Sequence, residues 1–191
     1  MSTAKLGLAM TGSFCTFDKA LNAFELLSED YDLTPVMSDN AYGTDTRFGA
    51  AEYFRQSFES ICGKPILHRI VETEPVGPEH RFDLLVIAPC TGNTLSKLAH
   101  GITDTPVLMA AKSHLRNGYP LLIALSTNDA LSGSAPNIAA LLCRKNIYFV
   151  PFYQDDSQGK PTSLVSDYSV LPSAVEAALA GRQLQPMLSK I

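Results

Sequence analysis

Charge is scarce in this chain: 18% of its 191 residues are Asp, Glu, Lys or Arg, and they sum to a formal net charge of −4. No run of Lys or Arg occurs, which removes the basic stripe that a nucleic-acid backbone or an anionic membrane surface would need. Small molecules and other proteins are the expected partners. Cysteine is sparse too. The residues Cys15, Cys62, Cys90 and Cys143 are widely spaced and form no C-x-x-C pair, which argues against a disulfide framework or a zinc site. Reduced thiols in a cytoplasmic protein are the simpler expectation, and no metal site is expected. The first apolar run stops at Thr11-Gly12, far short of the roughly 20 residues of a membrane span, with no small-residue cleavage site after it. Both common nucleotide fingerprints are missing, the G-x-G-x-x-G turn and the Walker loop with its Gly-Lys-Ser/Thr ending. Repeats, low-complexity tracts and linkers are missing as well, so one domain over 1–191 is expected.

What is present is apolar and periodic. Hydrophobic residues make up 46% of the chain, which is ordinary for a globular protein and enough for a sizeable core. Short apolar runs at 6–10, 33–37, 84–88, 121–125 and 147–150 alternate with amphipathic stretches, the pattern of a parallel sheet covered by helices. Pro35 places the second run near a sheet edge. After the first run Phe14, Phe17, Leu21, Phe24 and Leu27 recur at three- and four-residue steps, so they share one face of a helix. Further helices are expected over 47–61, 94–100, 106–117, 136–145 and 171–181, several with a proline near the start. The segment 66–71 reads as a strand. The fold class is α/β: a doubly wound, Rossmann-like parallel sheet in three layers.

Four strands end in loops of one chemical kind: Thr11-Gly12-Ser13, Ser38-Asp39-Asn40, Pro89-Cys90-Thr91-Gly92-Asn93-Thr94 and Ser126-Thr127-Asn128-Asp129. In an open parallel sheet they lie together at the carboxyl ends of the strands, where ligands bind. Small residues let a ligand approach the backbone and hydroxyls donate to anionic oxygens. Helices opening there add unpaired N–H groups. A phosphate fits such an environment without a lysine, although each loop alone could simply cap a helix or make a turn.

The segment Pro89-Cys90-Thr91-Gly92-Asn93-Thr94, followed by a helix and Gly101-Ile102-Thr103-Asp104, resembles the Pro-Ala-Ser-Ala-Asn-Thr signature of the flavin-binding cysteine-decarboxylase family. The resemblance implies a flavoprotein fold with FMN as cofactor. It implies cofactor contacts from Thr11, Gly12 and Ser13 to the phosphate, and from Ser38, Thr91, Gly92, Asn93, Thr94, Ser126 and Thr127. A closer likeness runs along nearly the whole chain to one branch of that family from spore-forming bacteria. Landmarks include Thr44-Asp45-Thr46-Arg47-Phe48-Gly49, Glu74-Pro75-Val76-Gly77-Pro78, Lys145-Asn146-Ile147-Tyr148-Phe149-Val150 and Gly181-Arg182-Gln183-Leu184-Gln185-Pro186. This likeness implies an oxidoreductase component that works with a separate nicotinamide-binding subunit to oxidise dihydrodipicolinate to dipicolinate during sporulation, in the mother-cell cytoplasm. It also implies a homo-oligomer, as in family trimers with sites between subunits.

Departures from the wider family bear on activity. Its decarboxylases carry a His after the second strand, and none lies between Met1 and Leu67. Their Met-flanked substrate clamp is here Ser126-Thr127-Asn128-Asp129-Ala130-Leu131, which keeps Asn128 and loses both Met residues. A stand-alone decarboxylase or flavin prenyltransferase, and a non-catalytic nucleotide-binding partner protein, remain the alternatives. For substrate, the candidates are Arg47, whose fork suits a carboxylate, together with Asn93 and Asn128. Arg47 could equally pair with Asp45, and Asn93 could cap a helix. Lys97 and Lys112 read as solvated helix faces, Asp104 and Asp129 as possible bases or dipole partners, and Cys15 and Cys90 as inert thiols. His68, His80, His100 and His114 share no ligand spacing.

Overall fold

In the computed structural model, which describes residues 3–189, strand and helix alternate around a mixed seven-stranded sheet. Strands β1 (Lys5–Met10), β2 (Asp32–Met37), β3 (Leu84–Cys90), β4 (Leu121–Thr127) and β5 (Ile147–Phe149) are parallel in the order 2-1-3-4-5. The expected parallel sheet is extended by two short antiparallel strands, β6 (Phe152–Tyr153) and β7 (Leu164–Ser166), with β7 pairing to the far end of β4 at Ser126 and Thr127. Strands of two and three residues are too short to show a period in sequence.

The apolar runs are strands because both their faces are covered. Leu6, Leu8 and Met10 join Leu84, Val86, Leu122 and Ala124 in one core with helices α1 (Phe17–Ser28), α3 (Ala51–Cys62) and α8 (Leu171–Leu179). The alternate residues Ala9, Leu85, Ile87, Leu121 and Ile123 face a second core with α5 (Gly92–Ala99), α6 (Pro106–Arg116) and α7 (Ala135–Leu142). Period-two alternation thus serves both layers at once. Gly7 is required by packing: a Cβ there would lie 2.4 Å from the Phe82 ring.

Three expectations shift. The helix foreseen over 47–61 begins at Ala51, because the Asp45 carboxylate accepts the Ala51 amide proton at 2.8 Å while residues 46–49 form a tight turn. Segment 66–71 makes a single bridge, Leu67 to Val36, and then turns into α4 (Ile70–Thr73). The Glu72 carboxylate causes that turn by accepting the amides of His68 and Arg69, each at 3.0 Å. A short helix, α2 (Asp39–Gly43), follows β2, with Ser38 as its cap. Pro35 sits on β2 at the end of the parallel order, as its missing N–H demands. The order reverses between β1 and β3, and the crevice outside the carboxyl ends at such a reversal is where open α/β sheets bind ligands.

Candidate functional site

The loops after β1 and β3 are fastened by one hydroxyl. Thr11 is buried, its Oγ1 donates to the Pro89 carbonyl at 2.8 Å, and it accepts the Thr91 amide at 3.0 Å. Thr91 in turn caps α5, its Oγ1 accepting the Thr94 amide at 3.1 Å. Gly92 opens that helix against the loop after β4. A Cβ on Gly92 would stand 2.6 Å from Thr127 Oγ1 and 2.9 Å from both Asp129 Oδ1 and Ser134 Oγ. Those three groups form one cluster, with Thr127 and Ser134 both donating to the Asp129 carboxylate. Across the same edge the Ser13 and Ser126 hydroxyls are 2.7 Å apart. Three strand-end loops are therefore locked together by side-chain hydroxyls and a glycine.

The locked loops frame two compartments that share Gly12 and Thr91. The larger, about 640 Å³, is bounded by Phe14, Ser38, Asp39, Asn40 and Thr44 on one side and by Asn93, Thr94, Lys97, Asp104 and Thr105 on the other. The smaller, about 210 Å³, is bounded by Ser13, Cys15, Gly92, Ser126, Thr127 and Asn128, with Asp155, Lys160 and Val165 reaching it from the β6–β7 hairpin.

Each lysine at the site is paired. Lys97 Nζ lies 2.6 Å from Asp104 Oδ2, and its hydrogen bond holds the Asp104 carboxyl below its ordinary range. Lys160 lies 3.3 Å from Asp155. An anion in the small compartment, where Lys160 is held by Asp155, therefore relies on hydroxyls and on the first amides of α5, which have no partner within the helix. That donor set suits a phosphate in the small compartment, and the larger one has room for a planar heterocycle edged by amide side chains. Cys90 does not take part: it is fully buried, and burial pushes its thiol well above the usual range.

Of the residues singled out from sequence, Gly12, Ser13, Ser38, Thr91, Gly92, Asn93, Thr94, Ser126, Thr127 and Asn128 line one or both compartments. Thr11 does not; its hydroxyl is spent on joining two loops. Arg47 lies in the turn before α3 with its guanidinium over the Phe48 ring at 4.9 Å, and borders neither compartment. Lys97 reverses its reading as a solvated lysine, since three quarters of its side chain is covered and it forms part of the large wall. The helical period carries the signal that would have found it: Lys97 is four residues beyond Asn93 and three beyond Thr94, on their face of α5. Phe14, read from sequence as a core-facing helical residue, sits instead in the turn directly after Ser13 and borders the large compartment, while Thr44, Thr105 and the hairpin residues Asp155 and Lys160 had no local signal, because the packing of separate segments brings them to this edge.

This fold is that of a known class of protein. The flavoprotein family model matches residues 1–136, and the chain belongs to that family. It is a homologue of the B subunit of dipicolinate synthase: it is 43% identical to that protein from Bacillus subtilis (strain 168) over 185 residues, 96% of this chain and 92% of the relative. The crystal structure of the same dipicolinate synthase component from Bacillus halodurans superposes with a TM-score of 0.90 at 44% identity, covering 100% of this chain and 99% of that one. A crystal structure of an FMN-dependent cysteine decarboxylase shares the fold at a TM-score of 0.68 and 20% identity, over 93% of this chain and 95% of that one.

Proposed function

We propose that this chain is the FMN-binding B subunit of a dipicolinate synthase, working with the nicotinamide-binding A subunit to oxidise dihydrodipicolinate to dipicolinate during sporulation, in the mother-cell cytoplasm. The observation that carries the reading is the paired crevice at the β1/β3 reversal, with hydroxyls and helix amides around its small part and amide side chains around its large part. Likeness to the B subunit of dipicolinate synthase over nearly the whole chain supports the substrate.

Ser13, Ser126 and the α5 amides would hold the FMN phosphate, with Thr127, whose proton goes to Asp129, lining the same compartment. Asn93 and Thr94 would border its ring in the large compartment, and Asn128 would orient a polar group at the mouth of the small one. FMN, when bound, supplies a two-electron acceptor. The chain's own part is to bind, to orient and to shield. Thr11 and Gly92 hold the loops at fixed separation, so the donors are in place before the ligand arrives and little ordering is needed on binding. A homo-oligomer is part of the proposal.

The test is direct. The purified protein should carry a flavin absorption released on denaturation, or bind added FMN stoichiometrically with a fluorescence change. Together with its nicotinamide-binding partner it should convert dihydrodipicolinate to dipicolinate. A protein that binds no flavin under any condition removes the cofactor from the reading; an active reconstituted synthase containing a flavin-free variant of this chain removes its redox role.

A further inference from the structure

The large compartment has one feature that binding a neutral ring does not use. Among the described residues, Lys97 is the one cation on its wall, and it shares that wall with Asn93, Thr94 and Thr105. Its ammonium has three donors, of which Asp104 takes one at 2.6 Å. The partner is the more exposed of the two: Asp104 is half-exposed on the segment between α5 and α6, whereas three quarters of the lysine side chain is covered. A covered stem with a partly committed ammonium at a cavity surface is suited to receive an anion from the cavity. Arg47, the residue whose type best suits a carboxylate, is on the outer turn and borders neither compartment of its own chain.

We propose that Lys97 is the carboxylate-recognition residue of the large compartment. It takes one carboxylate of a small cyclic dicarboxylate through the donors Asp104 leaves open, while Asp104 holds the ammonium in place and tempers its charge. The proposal rests on the dicarboxylate reading given above. It goes further by naming the residue that holds a carboxylate of that substrate. Asn93 and Thr105, beside Lys97 on the same wall, supply neutral donors for the ring edge. Charge-assisted hydrogen bonds are about twice as strong as neutral ones, so a preference for the dicarboxylate depends on the lysine rather than on these neighbours.

The test measures binding of dipicolinate, and of its uncharged diamide as counterpart, to the full chain by calorimetry, with and without FMN. The wild type should prefer dipicolinate. Lys97→Gln should weaken dipicolinate by about tenfold or more and erase its advantage over the diamide, with the melting temperature held. Lys97→Arg should restore most of the preference. Asp104→Asn should bind dipicolinate at least as tightly as the wild type, since it removes a competing negative charge. A Lys97→Gln protein that keeps the preference overturns the assignment. So does an Asp104→Asn protein that loses dipicolinate as fully as Lys97→Gln, because the pair would then be only a brace for the wall. A wild type that binds FMN but not dipicolinate removes the dicarboxylate reading itself, and the role of Lys97 with it.

Discussion

Replacing Gly92 by Ala sets two physical effects against each other. By helix propensity the change should stabilise: Gly92 is the first residue of α5, its φ is not in the left-handed region, and alanine is favoured over glycine by up to about 1 kcal/mol. By packing it should destabilise, because the new methyl would stand 2.6 Å from Thr127 Oγ1 and 2.9 Å from Asp129 Oδ1 and Ser134 Oγ. None of these is the free end of a flexible chain. Thr127 and Ser134 are both bonded to the Asp129 carboxylate, so the cluster must move as a unit or lose bonds. Overpacking of this kind costs about 1–3 kcal/mol, and one broken hydrogen bond about 1 kcal/mol more. The packing effect therefore wins, and the net expectation is a loss of about 1–3 kcal/mol. For a chain of this size that is a fall in melting temperature of roughly 3–10 °C, read by circular dichroism on the purified variant. The shifted wall is also that of the small compartment, so FMN binding followed by fluorescence should weaken at least tenfold, about 1.4 kcal/mol. A variant that melts at or above the wild-type temperature and binds FMN as tightly would refute the reasoning, because local propensity would then have decided the outcome.

Thr11→Val keeps shape but leaves the part-buried Thr91 amide without its partner, while the Pro89 carbonyl keeps the Thr11 amide; a stability loss of about 1–2 kcal/mol by urea denaturation is expected, mostly recovered in Thr11→Ser. Burial pushes His114 down from 6.5 to about 4, so the folded state holds it neutral while the unfolded state takes up a proton as pH falls. Its contribution is intact above about pH 6.5, declines as pH drops toward 4 and is level below that, with about 2 kcal/mol lost by pH 5; His114→Gln should flatten that part of a urea-midpoint profile, and an unchanged slope would count against a neutral buried imidazole. Arg47→Ala should leave FMN and dipicolinate affinities within about twofold, given its position on the outer turn. Cys15 borders the small compartment and Cys143 is exposed elsewhere; bound FMN should slow alkylation of Cys15 by iodoacetamide while Cys143 reacts as before, and equal protection of both would place the ligand elsewhere.

The strands of the parallel sheet were legible because each is a dense apolar run with buried faces on both sides, and α1 was legible because Leu21, Phe24 and Leu27 repeat at helical steps. The start of α3 was not, since the group that caps it, Asp45, stands six residues before the amide it holds. Glu72 hid α4 in the same way, by folding back on the amides of His68 and Arg69 within what looked like a strand. At the crevice, the residues that could be placed from sequence are those lying in the strand-end loops themselves. Thr11 stood among them because a hydroxyl spent on a neighbouring loop and one offered to a ligand look alike in sequence.

By itself the sequence determined the α/β class, the parallel strands, the edge of the sheet on which the loops gather and the hydroxyl-rich chemistry of that edge, because each follows from short-range periodicity and turn chemistry. Tertiary structure alone decided which of those residues share a cavity. It placed Lys97 on a wall and Arg47 outside, and brought Lys160 from a hairpin far along the chain. The physical reason is that a cavity is defined by segments distant in sequence that pack against one another, and no local pattern records how a side chain is turned once its neighbours close around it.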